Sequence, residues 1–158
     1  MAYDNETIRD RTARLVGSWS LVSYEVTLEG GSPDRPYGAL PNGRLILGAN
    51  DRMAVVMAAE GRRYGSSDTE RAALHRAMMA YSGRYRVEGD KFITTVDVSS
   101  NLIWEGTEQV RRFRLDGPDL VLDLTGLRLA EGRLVFAPND AGETGILIIA
   151  RLVWRREV

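Results

Sequence analysis

No cysteine occurs in this chain of 158 residues, and its single histidine is His75. The lack of cysteine excludes disulfide bonds, a thiolate nucleophile and cysteine-ligated zinc. One histidine forms neither a catalytic triad nor an adequate zinc site, so we expect His75 to be exposed or to cap a helix, and to act as a general base only if a helix covers a cavity. Walker, dinucleotide-binding, GxSxG and HExxH motifs are also missing, and we expect no cofactor and no metal.

An excess of charge of one sign is missing too, because 21 Lys and Arg face 22 Asp and Glu, a net charge of -1. No basic or acidic block interrupts this mixture, so neither nucleic acid nor an anionic membrane surface is an expected partner. The longest apolar stretch, 145–154, is too short for membrane insertion and contains Arg151. The sequence carries no signal for a particular oligomeric state.

The N-terminal residues are rich in charge and lack the apolar core of a signal peptide. Together with the missing cysteines, this predicts a soluble, cytoplasmic protein. We predict an N-terminal extension at 1–14 and a single domain at 15–158, which is long enough to bury a core without metals or disulfides.

Short segments of alternating apolar and polar residues, separated by turn residues, dominate the chain. Besides the two hairpins treated below, the predicted strands are 17–28, 44–47, 53–58, 133–137 and 144–155. A turn at 138–142 joins the last two. The pattern predicts an all-β fold, a closed antiparallel barrel of about 8–10 strands.

One segment, 67–81, has helical periodicity instead. Ser67 and Glu70 have the spacing of a capping box. Four side chains fall on one helical face, namely Leu74, Ala77, Met78 and Tyr81. We predict one principal helix at about 67–81, packed either across the barrel as a lid or plug or against its outside.

A two-residue turn at Gly89-Asp90 sets the register of the first hairpin. Val87 then faces Phe92, Tyr85 faces Thr94, and Gly83 faces Val96. Five interior side chains result: Tyr85, Val87, Phe92, Thr94 and Val96. The opposite face is mostly charged and therefore faces solvent.

A second hairpin turns at Asp116-Gly117. Alternation points Phe113, Leu120, Leu122 and Leu124 to the interior, and it adds Arg111 and Gln109 to the same face. Because an unpaired buried cation is costly, Arg111 is a candidate for recognising a carboxylate, enolate or phenolate on an apolar ligand. The alternative is a buried ion pair or a backbone contact near the barrel end. Arg112 and Arg114 are expected to face solvent.

The remaining candidate ligand contacts are polar or aromatic. Gln109 and Thr94 either orient a ligand or satisfy one another. Tyr81 and Tyr85 either donate to a carbonyl oxygen in the cavity or are core tyrosines tied to the backbone. Phe113 is a candidate wall residue. Two loop aromatics, Trp104 and Tyr64, are candidates for the barrel entrance or are simply exposed, and four methionines are candidates for an adaptable lining: Met53, Met57, Met78 and Met79.

Four blocks of the sequence together resemble the bacterial and fungal lipocalin-like domain family of stand-alone proteins. They are LVGSWSLVSYE, YSGRYRVEGDKF, WEGTEQVRRFRLDGPDLVL and LVWRR. Gly17-Ser18-Trp19 with Arg151 is similar to the Gly-x-Trp and late arginine of lipocalins. The resemblance implies that Trp19 closes the bottom of the barrel and that Arg151 packs over its ring in a cation–π contact.

Three functions fit these observations. The first is binding of a small, mainly apolar ligand in the barrel cavity. The second, suggested by other lipocalin-like barrels, is a cofactor-independent isomerase or cyclase acting on a polyketide-, terpene- or fatty-acid-like substrate, with Arg111 and Tyr85 polarising an oxygen. The third is an interaction module whose barrel is filled by side chains, and the size of the interior separates it from the other two.

Overall fold

The structure is a computed structural model that describes residues 7–28, 30–130, 133–136 and 146–158, and of 125–130, 133–136 and 146–148 the backbone alone. The turn predicted at 138–142 lies outside these residues. The elements are α1 (Ile8–Leu15), β1 (Gly17–Leu28), β2 (Pro33–Asp34), β3 (Asn42–Leu47), β4 (Arg52–Ala58), α2 (Asp68–Arg76), β5 (Met78–Glu88), β6 (Lys91–Ser99), a 3₁₀ turn (Leu102–Trp104), β7 (Glu108–Asp116), β8 (Asp119–Ala130), β9 (Arg133–Phe136) and β10 (Ile146–Arg156).

Within the described residues, eight strands close into an antiparallel barrel in the order β1-β3-β4-β5-β6-β7-β8-β10. The barrel closes because β10 pairs with β8 on one side and with β1 on the other. The short strand β2 pairs with β1, and β9 pairs with the part of β8 that extends beyond β7. The predicted all-β barrel is confirmed.

The two hairpins have the faces that alternation predicts. Val87 pairs with Phe92 and Tyr85 with Thr94 across the turn at Gly89. In the second hairpin Asp116 pairs with Asp119, so the turn lies one residue later than predicted. This shift changes the pairing by two residues and leaves each side chain on its predicted face.

The predicted helix at 67–81 is wrong in its second half. Its capping box is present, since the Ser67 hydroxyl accepts from the Glu70 amide at 3.1 Å and the Glu70 carboxylate accepts from the Ser67 amide at 3.1 Å. The helix nevertheless ends at Arg76, because the segment from Met78 onward pairs with β4 as strand β5. Strand pairing therefore outweighs the helical spacing of Met78 and Tyr81. No residue of α2 is buried, so α2 does not plug the barrel.

One end of the barrel is sealed by helix α1 and the aromatic ring of Trp19; we call it the Trp19 end. A capping box of Thr7 and Asp10 begins α1, which covers the second half of the predicted N-terminal extension and ends one residue beyond it, at Leu15. Leu15, the last helical residue, is fully buried, and its carbonyl accepts from the Trp19 indole at 3.0 Å. Arg11 lies over the Phe113 ring, 5.0 Å from its centroid. This end is therefore packed with side chains.

The cation over Trp19 is Arg156, and the prediction of Arg151 is wrong. The Arg156 guanidinium lies 4.2 Å from the ring centroid and donates to the carbonyls of Val16, at 2.9 Å, and Arg14. Arg151 lies on the opposite face of β10 and forms an ion pair with Asp123 at 2.7 Å. Gly17 permits this arrangement, because its φ is +142° and a Cβ there would lie 2.7 Å from the Arg156 Nη1 atom.

Candidate functional site

A cavity of about 100 Å³ lies in the barrel beyond the Trp19 end. We call this part of the barrel, which contains Tyr24, Tyr37, Tyr81 and Trp104, the cavity end. The aromatic wall residues are Tyr24, Tyr37, Tyr81, Phe92, Trp104 and Trp154, and the aliphatic and sulfur-containing ones are Leu45, Met53, Val55, Met57, Met79, Leu122, Leu124, Ala150 and Leu152. Arg111 is the charged residue among the described wall residues.

Arg111 points into the barrel, on strand β7 next to Phe92 of β6. The residue is only 6% exposed, whereas the side chain of Arg112 is 67% exposed and Arg114 is exposed as well. This is the orientation that alternation predicts. Its Nη1 atom is buried and has no hydrogen-bond partner among the described residues. No described carboxylate lies within ion-pair distance of Arg111, so the described part of the wall leaves this cation uncompensated.

Two tyrosines that the sequence analysis missed, Tyr24 and Tyr37, also line the cavity. Their rings meet edge to face, with centroids 5.1 Å apart and an angle of 74°. Burial raises the pKa of Tyr24, the nearby Tyr37 raises it further, and the charge of Arg111 acts in the opposite direction. Burial also raises the pKa of Tyr37. Both phenols are therefore neutral at physiological pH and keep a proton to donate.

A β-bulge between Leu21 and Ser23 explains why Tyr24 faces inward. The bulge moves the interior face from odd to even positions, since Trp19 and Leu21 are buried before it and Tyr24 packs against the core after it. The sequence does contain a signal for this change, because the apolar alternation of β1 moves from odd to even numbers at Val22. Tyr37 lies in the proline- and glycine-rich loop and follows no periodic pattern.

Tyr81 and Trp104 line the cavity and form a second edge-to-face pair with centroids 5.5 Å apart, and their contact with a ligand stays a prediction. Trp104 ends the 3₁₀ turn. The Thr107 hydroxyl donates to its carbonyl at 2.7 Å and accepts from the Gln109 side-chain amide at 3.0 Å. Gln109 therefore supports the turn that carries Trp104, and it is not itself a wall residue.

Three further predicted ligand contacts face the interior without reaching the cavity. The Tyr85 hydroxyl donates to the Gly48 carbonyl at 2.9 Å. Phe113 lies below Arg11 at the Trp19 end. The Thr94 methyl group occupies the space beside Gly83, 3.0 Å from where a Cβ of that glycine would lie. These residues belong to the packed part of the barrel and are not wall residues of this cavity, and Tyr85 takes the predicted alternative of a core tyrosine bonded to the backbone.

The remaining candidates also divide into residues that line the cavity and residues that do not. Met53, Met57 and Met79 line the cavity, whereas Met78 is 36% exposed and does not. Tyr64 is 92% exposed and His75 is exposed, and neither is a wall residue.

Across the described ranges, no group of three or more His, Asp or Glu side chains is placed to hold a metal ion. None of the described helices is long and apolar enough to cross a membrane.

Residues 16–156 match the sequence model of a family described as a lipocalin-like domain. The matched range begins directly after α1 and ends at the last residue of β10. It therefore contains the whole barrel and all the wall residues of the cavity. No curated protein matches the chain significantly.

Proposed function

Because the chain belongs to the lipocalin-like domain family, we propose that it binds a small, mainly apolar ligand in the cavity of its barrel. The observation that carries the proposal is the cavity itself, which has an apolar and aromatic wall and one cation that no described residue compensates. Ligand sites commonly combine an apolar wall with a few convergent polar groups. The family's barrel is compatible with a small hydrophobic ligand.

Arg111 is proposed to meet an anionic or carbonyl group of this ligand. A buried guanidinium without a partner costs several kcal/mol, and a bound acceptor offsets part of that cost. The neutral phenols of Tyr24 and Tyr37 add hydrogen-bond donors to the same cavity. Tyr81 and Trp104 are proposed as apolar contacts of the ligand.

Binding is favoured over the two alternatives. An isomerase or cyclase that uses Arg111 and Tyr85 needs both groups at one substrate oxygen, but the Tyr85 hydroxyl is bonded to Gly48 and lies outside the cavity wall. An interaction module with a filled barrel requires an interior without a cavity. The described interior has one.

Filling the cavity tests the proposal. Ala150 is a buried wall residue, and Ala150→Phe places a ring in the cavity. Ala54 lies on the exposed face of β4, and Ala54→Phe is the matched control. Toluene is the probe, and its binding is followed by NMR chemical shifts of the protein.

We expect toluene to shift resonances of wall residues in the wild type and in Ala54→Phe, and to have no effect on Ala150→Phe. Native mass spectrometry of freshly purified protein should show a co-purified small molecule that is lost in the same variant. Equal toluene binding by both variants would place the ligand outside the cavity and refute the proposal.

Arg111→Met tests whether the arginine serves the ligand or the fold. Methionine has a similar length and no charge, and the described residues offer Arg111 no ion pair to lose. We expect the free energy of unfolding in urea to stay unchanged or to increase, by up to about 2 kcal/mol. A loss of more than about 3 kcal/mol would show that Arg111 supports the fold.

A further inference from the structure

The size of the cavity limits the ligand to about one ring. A cavity of about 150 Å³ in another protein binds benzene, and pockets for drug-sized ligands occupy about 300–1,000 Å³. The volume here is about 100 Å³. The flexible side chains of Met53, Met57 and Met79 line it and provide room for small adjustments. Because this volume is about two thirds of that reference, a single ring with a small substituent fits only when these side chains move, and a long acyl chain has no room.

The unpartnered polar groups of the cavity wall are hydrogen-bond donors, so they favour a ligand that supplies acceptors. Two buried wall nitrogens, Arg111 Nη1 and Trp154 Nε1, have no partner among the described residues. The unpartnered buried acceptor in the described chain is Gln109 Oε1, and Gln109 is not a wall residue. One guanidinium supplies one positive charge, so the matching ligand group is a monoanion. A carboxylate is planar and accepts both arms of a guanidinium.

The arrangement of the wall rings favours an aromatic ligand. Tyr24 packs edge to face on Tyr37, and Tyr81 packs in the same way on Trp104. Both pairs line the cavity, so ring faces and edges are presented to its contents. Aromatic rings associate by such edge and face contacts in a way that saturated chains do not.

On the basis of the proposed function, we infer that the ligand is an aromatic monocarboxylate of about the size of benzoate. Its carboxylate binds Arg111, and its ring lies between the pair Tyr24–Tyr37 and the pair Tyr81–Trp104. Arg111 then selects an anionic over a neutral ligand, and the two ring pairs select an aromatic over an aliphatic acid.

Isothermal titration calorimetry with four compounds tests the inference: benzoate, its neutral isostere benzamide, the aliphatic acid hexanoate and the long-chain acid palmitate. We expect benzoate to bind at least about 30-fold more tightly than benzamide, the scale of one buried charged contact. Hexanoate should bind about 10-fold more weakly than benzoate because it lacks the ring contacts. Palmitate should not enter the cavity.

Variants of Arg111 separate charge recognition from folding. Arg111→Met should weaken benzoate at least about 30-fold and benzamide, whose carbonyl accepts more weakly from the arginine, much less, whereas the exposed control Arg112→Met should change neither. Arg111→Lys keeps a positive charge in the barrel but loses the planar guanidinium, which binds a carboxylate through two N–H groups. Benzoate should then bind about 10-fold more weakly than to the wild type. It should still bind more tightly than benzamide does to the same variant.

Benzamide binding as tightly as benzoate, or both weakening alike in Arg111→Met, would overturn the assignment of a carboxylate. A preference for hexanoate over benzoate would overturn the aromatic class, and a preference for palmitate would overturn the size limit. In these cases toluene binding and its loss in Ala150→Phe still support the proposed function. Failure of toluene to bind in the cavity would overturn the proposed function and this inference together.

Discussion

The two ends of the barrel use aromatic side chains for different purposes. At the Trp19 end the indole ring of Trp19 is fully packed and only 1% exposed. At the cavity end Tyr24, Tyr81 and Trp104 are only half-buried and border empty space. Rings of the same type therefore fill one end and surround a cavity at the other.

This difference separates the parts of the chain that stabilise the fold from the parts that are available to a ligand. A fully packed ring gains the whole benefit of burial, whereas a ring beside a cavity gives up some of those contacts. The arginines at the two ends also differ in how many partners hold them. Arg156 is held by a ring and two backbone carbonyls, whereas the buried Nη1 atom of Arg111 has no hydrogen-bond partner among the described residues.

Truncating one tryptophan at each end tests the comparison most strongly. Trp19→Ala removes a buried ring and should lower the free energy of unfolding by about 3–5 kcal/mol. Trp104→Ala removes a half-buried ring and should cost less than about 1.5 kcal/mol. Urea unfolding followed by circular dichroism measures both. A cost below about 1 kcal/mol for Trp19→Ala would show that this ring is not part of the core.

The two arginines of β10 give the next largest effect. Arg156→Met removes the cation–π contact with Trp19 and two hydrogen bonds to backbone carbonyls, so we expect a loss of about 1–3 kcal/mol. Arg151→Met removes an ion pair with Asp123 on the barrel's outer face and should cost less than about 1 kcal/mol. Thermal and urea unfolding of the two variants measure the difference. The reverse order would restore Arg151 as the structural arginine.

The faces of the strands were predictable because alternation is a local property. It correctly points Arg111 inward and Arg112 outward. The same rule also identifies the arginine over Trp19, because Leu152 and Trp154 are buried and Arg156 continues their even-numbered face. Applied to β10, alternation thus corrects the resemblance that favoured Arg151.

The position of the cavity along the barrel was not predictable from local patterns. Tyr85 and Phe113 point inward as alternation requires, but they lie in the packed part of the interior. Which interior residues border empty space depends on how α1 and the side chains of distant strands fill the Trp19 end. The helical spacing of Met78 and Tyr81 misled for a related reason, since pairing with β4 is a long-range interaction.

The smallest expected loss of stability comes from an ion pair on the outer face of the barrel, and it serves as a reference for the other variants. Asp97 accepts from the Ser82 hydroxyl at 2.6 Å and forms an ion pair with Arg52. The hydrogen bond from Ser82, followed by the interaction with Arg52, lowers the pKa of Asp97. A carboxyl whose pKa is lowered by folding stabilises the fold above its unfolded pKa, and this stabilisation disappears as the pH falls through the lowered folded value.

Asp97→Asn should therefore cost less than about 1 kcal/mol at about pH 7, because the ion pair is exposed to solvent. The difference from the wild type should shrink as the pH falls below the unfolded pKa of about 4, and it should vanish once the wild-type carboxyl is protonated in the folded protein as well. Urea unfolding of both proteins across this pH range measures the difference. The control Glu88→Gln changes a carboxylate that also pairs with an arginine on the outer face, Arg86, but receives no hydroxyl hydrogen bond among the described residues. A cost for Asp97→Asn that matches that of Trp19→Ala, or that does not decrease as the pH falls below about 4, would mean that this ion pair contributes to the fold as the Trp19 end does.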